Sequence, residues 1–522
     1  MTGFIKKNKL IIERYFINLC VLILYWGNLL RKSYNADSAA HVYSKDADVF
    51  INIGDGRYVI ALCDHLLLKL GIRTTDNISV TILLTLMFFA CSMTILQRIF
   101  KEWEPSEVLP KISFNAFVSL VFLNVLFSEN LMFSEYCIYY GIAYLAATLG
   151  VLLIKKNRLI PALLFFIIGT FTYQFSAIYG AIAAAFLMLL SSDFKWSVKA
   201  VISEIKAVMI PMAAGVINII TIKIVGMINI RYAFRKSVQS GGLADRIKDA
   251  FASLIDLNRG GYGMFPDLFF PAIFGIIIIS ITVVLFIRQG RAKDLSFYLV
   301  VLIGSFILLY VIPIMNSELN FPPRMAFSFF QIQGLLGAAY YAVSGSAHKE
   351  ETGNPGVGVE TGTQHQTDAP TQRQQGTEQA TQSLVLAACF GYMFIHLIFA
   401  EFITTNHFVS NTIDKIYAEM VVNEIEKYEE RTGIEVKNVC AEKDINSTFA
   451  YDEVSYHRDQ INEKIMGQAT LSYIEVVTGR HFDWCPISQE IWDEHFTGRN
   501  WDVFDLSEQL VFDGDTAYWC LY

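Results

Sequence analysis

Eleven apolar runs, most of them about 17 to 25 residues long and so each able to cross roughly 30 Å of hydrocarbon as a helix, constrain this chain more than anything else in it. They lie near 15–32, 79–97, 112–128, 138–154, 159–173, 175–190, 207–226, 268–287, 295–315, 324–344 and 384–402. With 53% hydrophobic and 17% charged residues, the chain would expose too much apolar surface to be an ordinary water-soluble protein. The expected fold class is therefore an α-helical polytopic membrane protein of about eleven transmembrane helices. Pro161 and the step Thr172-Tyr173-Gln174 leave two forms open for 159–190. It is either two short helices or one long kinked helix, and an even count would reverse the C-terminus.

Charge in the short loops gives an orientation, because Lys and Arg collect on the cytoplasmic side. The leader carries Lys6, Lys7, Lys9 and Arg14, and the later basic clusters are Arg98/Lys101/Lys111, Lys155/Lys156/Arg158, Lys195/Lys199/Lys206 and Arg288/Arg291/Lys293. Ser128–Tyr136 and the Tyr173-Gln174 step between them contain no Lys or Arg, and nor does Asn316–Pro323. The alternation predicts a cytoplasmic N-terminus, with loops 33–78 and 227–266 outside. Long translocated loops escape the positive-inside bias, so their basic residues are candidates for function. No small-x-small pattern follows the first run, so a cleaved leader is not expected.

The chain divides into a membrane domain (1–345), a Thr-, Gln- and Gly-rich segment (346–383), a last span (384–402) and a charged remainder (403–522). Residues 346–383 have almost nothing to bury and are expected to form a disordered cytoplasmic linker. The remainder has strand-like IEVKNVCA, QLVFDG and TAYWCLY, with helices near 461–479 and 487–497, and reads as a small extracytoplasmic α/β domain. Its three cysteines, Cys440, Cys485 and Cys520, permit one disulfide and one free thiol, and no Cys/His spacing suggests zinc. No metal or other cofactor is expected, and nothing points to nucleic acid.

The acidic first outer loop carries the chemistry. It places Asp37, Asp46, Asp48, Asp55 and Arg57 beside the membrane. An enzyme drawing a polyprenyl-phosphate donor from the bilayer needs a carboxylate there to deprotonate an acceptor hydroxyl, and cations to hold the phosphate leaving group. Asp37 follows the first span most closely and is the first candidate base; N-A-D-S is equally a sound N-cap sequence. Asp46 and Asp48 are either rival bases or solvated loop residues. Arg57 either binds donor phosphate or pairs with Asp55. Arg324, after Pro322-Pro323, is either a phosphate ligand or an interfacial anchor. Arg231 and Arg235, with Lys236, are candidates for an anionic ligand or for lipid phosphates. Glu129 and Glu135 border a short outer loop and are candidates for acceptor binding.

The order of these segments resembles the bacterial membrane glucosyltransferases of the Gtr type II family. The resemblance is carried by Gly56-Arg57-Tyr58-Val59 followed by LCDHLLLKLGI, then FSENLMFSEYCIYYG, TFTYQFSAIYG and NFPPRMAF, and by the tail FDLSEQLVFDGDTAYWCLY. It covers roughly 10–345 plus the tail. It implies a GT-C type fold with an outward-facing site, a polyprenyl-phosphate-linked hexose donor, in the simplest case glucose, and a surface glycan such as O-antigen as acceptor. It also implies a donor-forming transferase and a flippase as partners. Members often show paired acids in the first outer loop, whereas this chain has the single Asp37, with Asp46-Ala47-Asp48 further on. The alternatives are a transporter or flippase for a lipid-linked sugar, a GT-C transferase of another sugar, and a glycan-binding scaffold using Trp484, Trp492, Trp501 and Trp519.

Overall fold

The computed structural model describes residues 2–42, 47–229, 242–315, 323–352, 372–443, 469–499 and 505–521. Lipid offers no partner to a bare peptide group, so every apolar run is expected to close its hydrogen bonds within a helix. The described residues follow that rule with seventeen helices from the N-terminus to residue 432. These are α1 (Thr2–Trp26), α2 (Ala36–His41), α3 (Ala47–Gly54), α4 (Tyr58–Lys69), α5 (Ile78–Ile99), α6 (Val108–Ser119), α7 (Ser128–Met132), α8 (Cys137–Lys155), α9 (Leu159–Thr172), α10 (Phe175–Ser191) and α11 (Val198–Ile228). They continue as α12 (Leu243–Gly260), α13 (Phe270–Arg288), α14 (Ala292–Met315), α15 (Pro323–Ala326), α16 (Ser328–Thr352) and α17 (Gln372–Thr432). Among the described residues seven helices are long and apolar enough to cross a membrane, and α9 and α10 are shorter apolar helices.

Three expectations change. The run 112–128 is no single span, because α6 ends at Ser119 and the chain turns at Leu120. The fully buried Asn124 side chain donates to the carbonyls of Leu120 (3.0 Å), which also accepts the Leu123 N–H (3.1 Å), and Val121 (2.7 Å), supplying donors where the helix is broken. The last apolar helix does not stop at 402: α17 runs unbroken to Thr432, so the C-terminal domain grows directly out of it. The expected linker is helical at its flanks, 346–352 and 372–383, while 353–371 lies outside the described residues.

Helix α10 is the hub. Nearly all of Phe175–Leu190 is buried, and its Ala and Gly residues let neighbouring helices approach closely. The Phe166 ring of α9 fills the gap left by Gly150 of α8, where a Cβ would stand only 2.7 Å from it. At Tyr173 the backbone becomes extended (φ −151°, ψ 117°) and separates α9 from α10. The two rise about 21 Å and 26 Å, so the open choice for 159–190 resolves as two short helices rather than one long kinked one.

The two ends of the bundle differ in charge. At one end Arg14 pairs with Glu104 (2.8 Å), Lys155 with Glu102 (2.8 Å) and Arg291 with Asp193 (3.2 Å). The leader and the basic loops thus meet there. At the other end the segments around 38, 55, 129–136, 173 and 324 meet instead.

Beyond α17 a four-stranded sheet is built from β1 (Asn438–Lys443), β2 (Asp483–Trp484), β3 (Leu510–Asp513) and β4 (Thr516–Leu521), in the order β2-β1-β4-β3. β1 is parallel to β2 and to β4, and β3–β4 is an antiparallel hairpin closed at Gly514-Asp515, with Gly514 at φ +59°. The helix α18 (Thr470–Thr478) precedes β2. The distal half of α17 covers this sheet: the buried Trp519 donates to the Tyr417 hydroxyl (3.2 Å), and Tyr428 stacks on Phe512 at 4.4 Å. Cys440 and Cys485 are joined in a disulfide, and Cys520 is buried beside Trp519 in β4 and takes no part in that bridge. Trp519 is core and Trp484 is exposed, while Trp501 lies outside the described residues.

Candidate active site

The site begins with a turn that only glycine fits. Gly56 takes φ +75°, and a Cβ there would stand 2.5 Å from Ile222 of α11. Asn218 of α11 donates to the Gly56 carbonyl (2.8 Å), and Gln174 donates to the Asp55 carbonyl. The polar Asn218, deep in an apolar helix, is therefore a bolt for the loop that carries Asp55 and Arg57. The turn delivers Arg57 to the start of α4, where it pairs with Asp55 at 3.7 Å and lies over the Tyr136 ring at 5.6 Å. Both readings of Arg57 meet here, because the Asp55 pair exists yet its buried Nε is not hydrogen-bonded to the protein.

Arg324 comes from the opposite side of the cluster. Glu129, fully buried, accepts from its backbone N–H (2.6 Å) and from Nη1 (2.5 Å). Tyr173 donates to its carbonyl at 3.0 Å, and Phe133 lies beneath its guanidinium at 4.8 Å. Between the arginines stand Tyr140 and Tyr173, with ring centroids 4.5 Å apart. Both tyrosines lie within electrostatic range of Arg57, Arg324 and Glu129. Two cations therefore flank one tyrosine pair, over a floor of Tyr144, Phe127 and Phe327.

The loop bearing Asp37 is tied to the same cluster. Asn35, not Asp37, caps α2: its Oδ1 accepts from the Ser38 N–H at 2.6 Å. Asp37 is left in the first turn with an exposed side chain. Ser38 donates to Glu135, which also lies within electrostatic range of Tyr140, and Ser134 donates to Ser38 at 2.9 Å. Glu129 and Glu135, the candidates for acceptor binding, are buried and engaged by Arg324 and Ser38.

Of the other expected residues, Asp48 falls in the first turn of α3, while Asp46, Arg231 and Arg235 lie outside the described residues. Two residues were missed. Asp64 of α4 accepts a hydrogen bond from Tyr139, and the buried Asn52 reaches it at 3.5 Å; a lone carboxylate among Leu and Cys in an interfacial helix was the available signal. Asn130, next to Glu129, is fully buried with neither amide atom hydrogen-bonded. Nothing in the local sequence marks that.

No curated protein and no solved structure gives a significant match to this chain. The family model described as Glucosyl transferase GtrII matches residues 28–338, a span that contains α2, both arginines and every carboxylate of the cluster. The match takes in more than half of the sequence, and on it the chain belongs to the GtrII glucosyl transferase family.

Proposed function

We propose that the protein transfers a hexosyl residue, glucosyl in the simplest case, from a polyprenyl-phosphate donor to a surface glycan on the outer face of the membrane. The observation that carries this reading is the convergence of Arg57 and Arg324 on Tyr140–Tyr173, at the end of the bundle opposite the paired basic loops. By the positive-inside argument the segments that meet there are the outer ones. The disulfide of the last domain agrees with an oxidising compartment.

In this reading Asp37 takes the proton from an acceptor hydroxyl as its oxygen attacks the anomeric carbon, and the bond from that carbon to the phosphate oxygen breaks. The departing phosphate gains charge, and two preorganised guanidinium groups in a low-dielectric pocket stabilise it. Glu129 and Asp55 orient the arginines. Asn130 supplies hydrogen bonds to sugar hydroxyls, which would satisfy its two buried polar atoms. The lipid tail stays in the bilayer beside α4, whose Leu62 and Leu66, with Leu70 at its C-cap, form an exposed row at helical spacing.

The test is transfer of labelled glucose from synthetic polyprenyl-phosphate glucose by the purified protein in proteoliposomes, alongside the surface glycans of a deletion strain. Absence of donor consumption with every acceptor extract from the parent strain would overturn the reading.

A further inference from the structure

Besides Ser134 and Glu135, which engage Ser38, the Asp37 loop is held by residues from outside the family-matched span. Tyr34, three positions before Asp37, is buried and lies outside any helix or strand, so its peptide groups need partners. Asn411 of α17 supplies both: its Oδ1 accepts from the Tyr34 N–H (2.6 Å) and its Nδ2 donates to the Tyr34 carbonyl (2.9 Å). One amide side chain thus imitates a rung of a β-ladder. Tyr473 of α18 donates its hydroxyl to the Asn411 carbonyl (3.0 Å), and its ring meets that of Tyr34 edge-on at 6.4 Å. Helix α18 also packs against α2 itself. The frame then passes directly into chemistry, because the next residue, Asn35, caps the helix whose first turn carries Asp37.

We propose that Asn411 and Tyr473 are positioning residues for the base, so that α17 and the outer domain form part of the active-site frame. The proposal rests on Asp37 being the base. Without Asn411 the Tyr34 N–H and carbonyl are buried and unpaired, and the segment 33–38 shifts to find partners. A displacement of about 1 Å at a reacting group costs on the order of a hundredfold in rate, while the arginines that hold the donor are untouched.

The experiment measures kcat and donor KM for Asn411→Ala, Tyr473→Phe and Asp37→Asn in the full-length protein, together with tryptic cleavage after Lys32, which is exposed beside the clamp. Asn411→Ala is expected to lose roughly ten- to a hundredfold in kcat with donor KM within about twofold, and to be cut faster after Lys32. Tyr473→Phe keeps the ring contact and loses one hydrogen bond, so it should show the same pattern at smaller size. Unchanged kcat and cleavage in both variants would overturn the proposal, as would a loss of kcat matched by an equal rise in donor KM. If Asp37→Asn remains active the base has been misassigned, whereas an inactive Asp37→Asn beside fully active clamp variants sinks the clamp alone.

Discussion

Glu129 grips Arg324 at two points, through the backbone N–H at 2.6 Å and through Nη1 at 2.5 Å. The carboxylate thereby fixes both where the arginine enters the site and which way it faces. Removing one partner of a buried ion pair costs about 3–5 kcal/mol, and Arg324 is one-fifth exposed, so Glu129→Ala is expected to destabilise by a smaller ~2–3 kcal/mol. Thermal unfolding in detergent checks this. Glu129→Gln keeps an acceptor for the N–H and should fall between alanine and wild type.

Arg57 is predicted to act on the donor rather than the acceptor. Loss of a group that stabilises developing charge costs roughly 10²- to 10³-fold, so Arg57→Gln should lower kcat/KM for the donor by that amount. Arg57→Lys keeps the charge and loses the planar fork, and should recover only part of it. Steady-state kinetics with donor and acceptor varied separately make the distinction.

Asn130 separates function from stability. Both of its polar atoms are buried without hydrogen bonds, so Asn130→Leu removes an unfavourable burial and should leave the melting temperature unchanged or raised. Transfer should fall by more than about tenfold, as expected where a site gives up stability for activity. A lower melting temperature with normal transfer would show the residue to be structural.

The Cys440–Cys485 disulfide closes a segment of sequence separation 45, for which chain entropy predicts about 4 kcal/mol of stabilisation. Its reduction is expected to loosen the C-terminal domain first. After mild reduction, a membrane-impermeant maleimide should label these thiols in intact cells. Labelling only after permeabilisation would reverse the proposed orientation.

Much of this architecture was legible in the sequence, because lipid forces each apolar run into a helix and loop charge separates the two ends. Segments 128–136, 173–174 and 324, set on one side by their lack of basic residues or their place after such a loop, do meet in one cluster. The break at Leu120 was hidden because a single amide, Asn124, repairs it within an apolar run. The continuation of α17 was readable: Tyr417, Val421, Ile425 and Tyr428 recur at helical spacing through the charged segment. Long-range partnerships were not. Glu129 with Arg324, Asp64 with Tyr139 and Asn411 with Tyr34 join residues far apart in sequence, each with unremarkable neighbours. The capping role weighed for Asp37 fell to Asn35, two residues earlier, since either side chain suits an N-cap by composition alone.

Donor turnover by Asp37→Asn in proteoliposomes, with donor binding measured on the same preparation, tests the central claim most directly. Loss of the base while both arginines remain should cut turnover by about 10²- to 10⁴-fold and leave donor affinity within about twofold of wild type. Turnover at the wild-type rate would contradict the account and move the search for the base to Asp46 or Asp48.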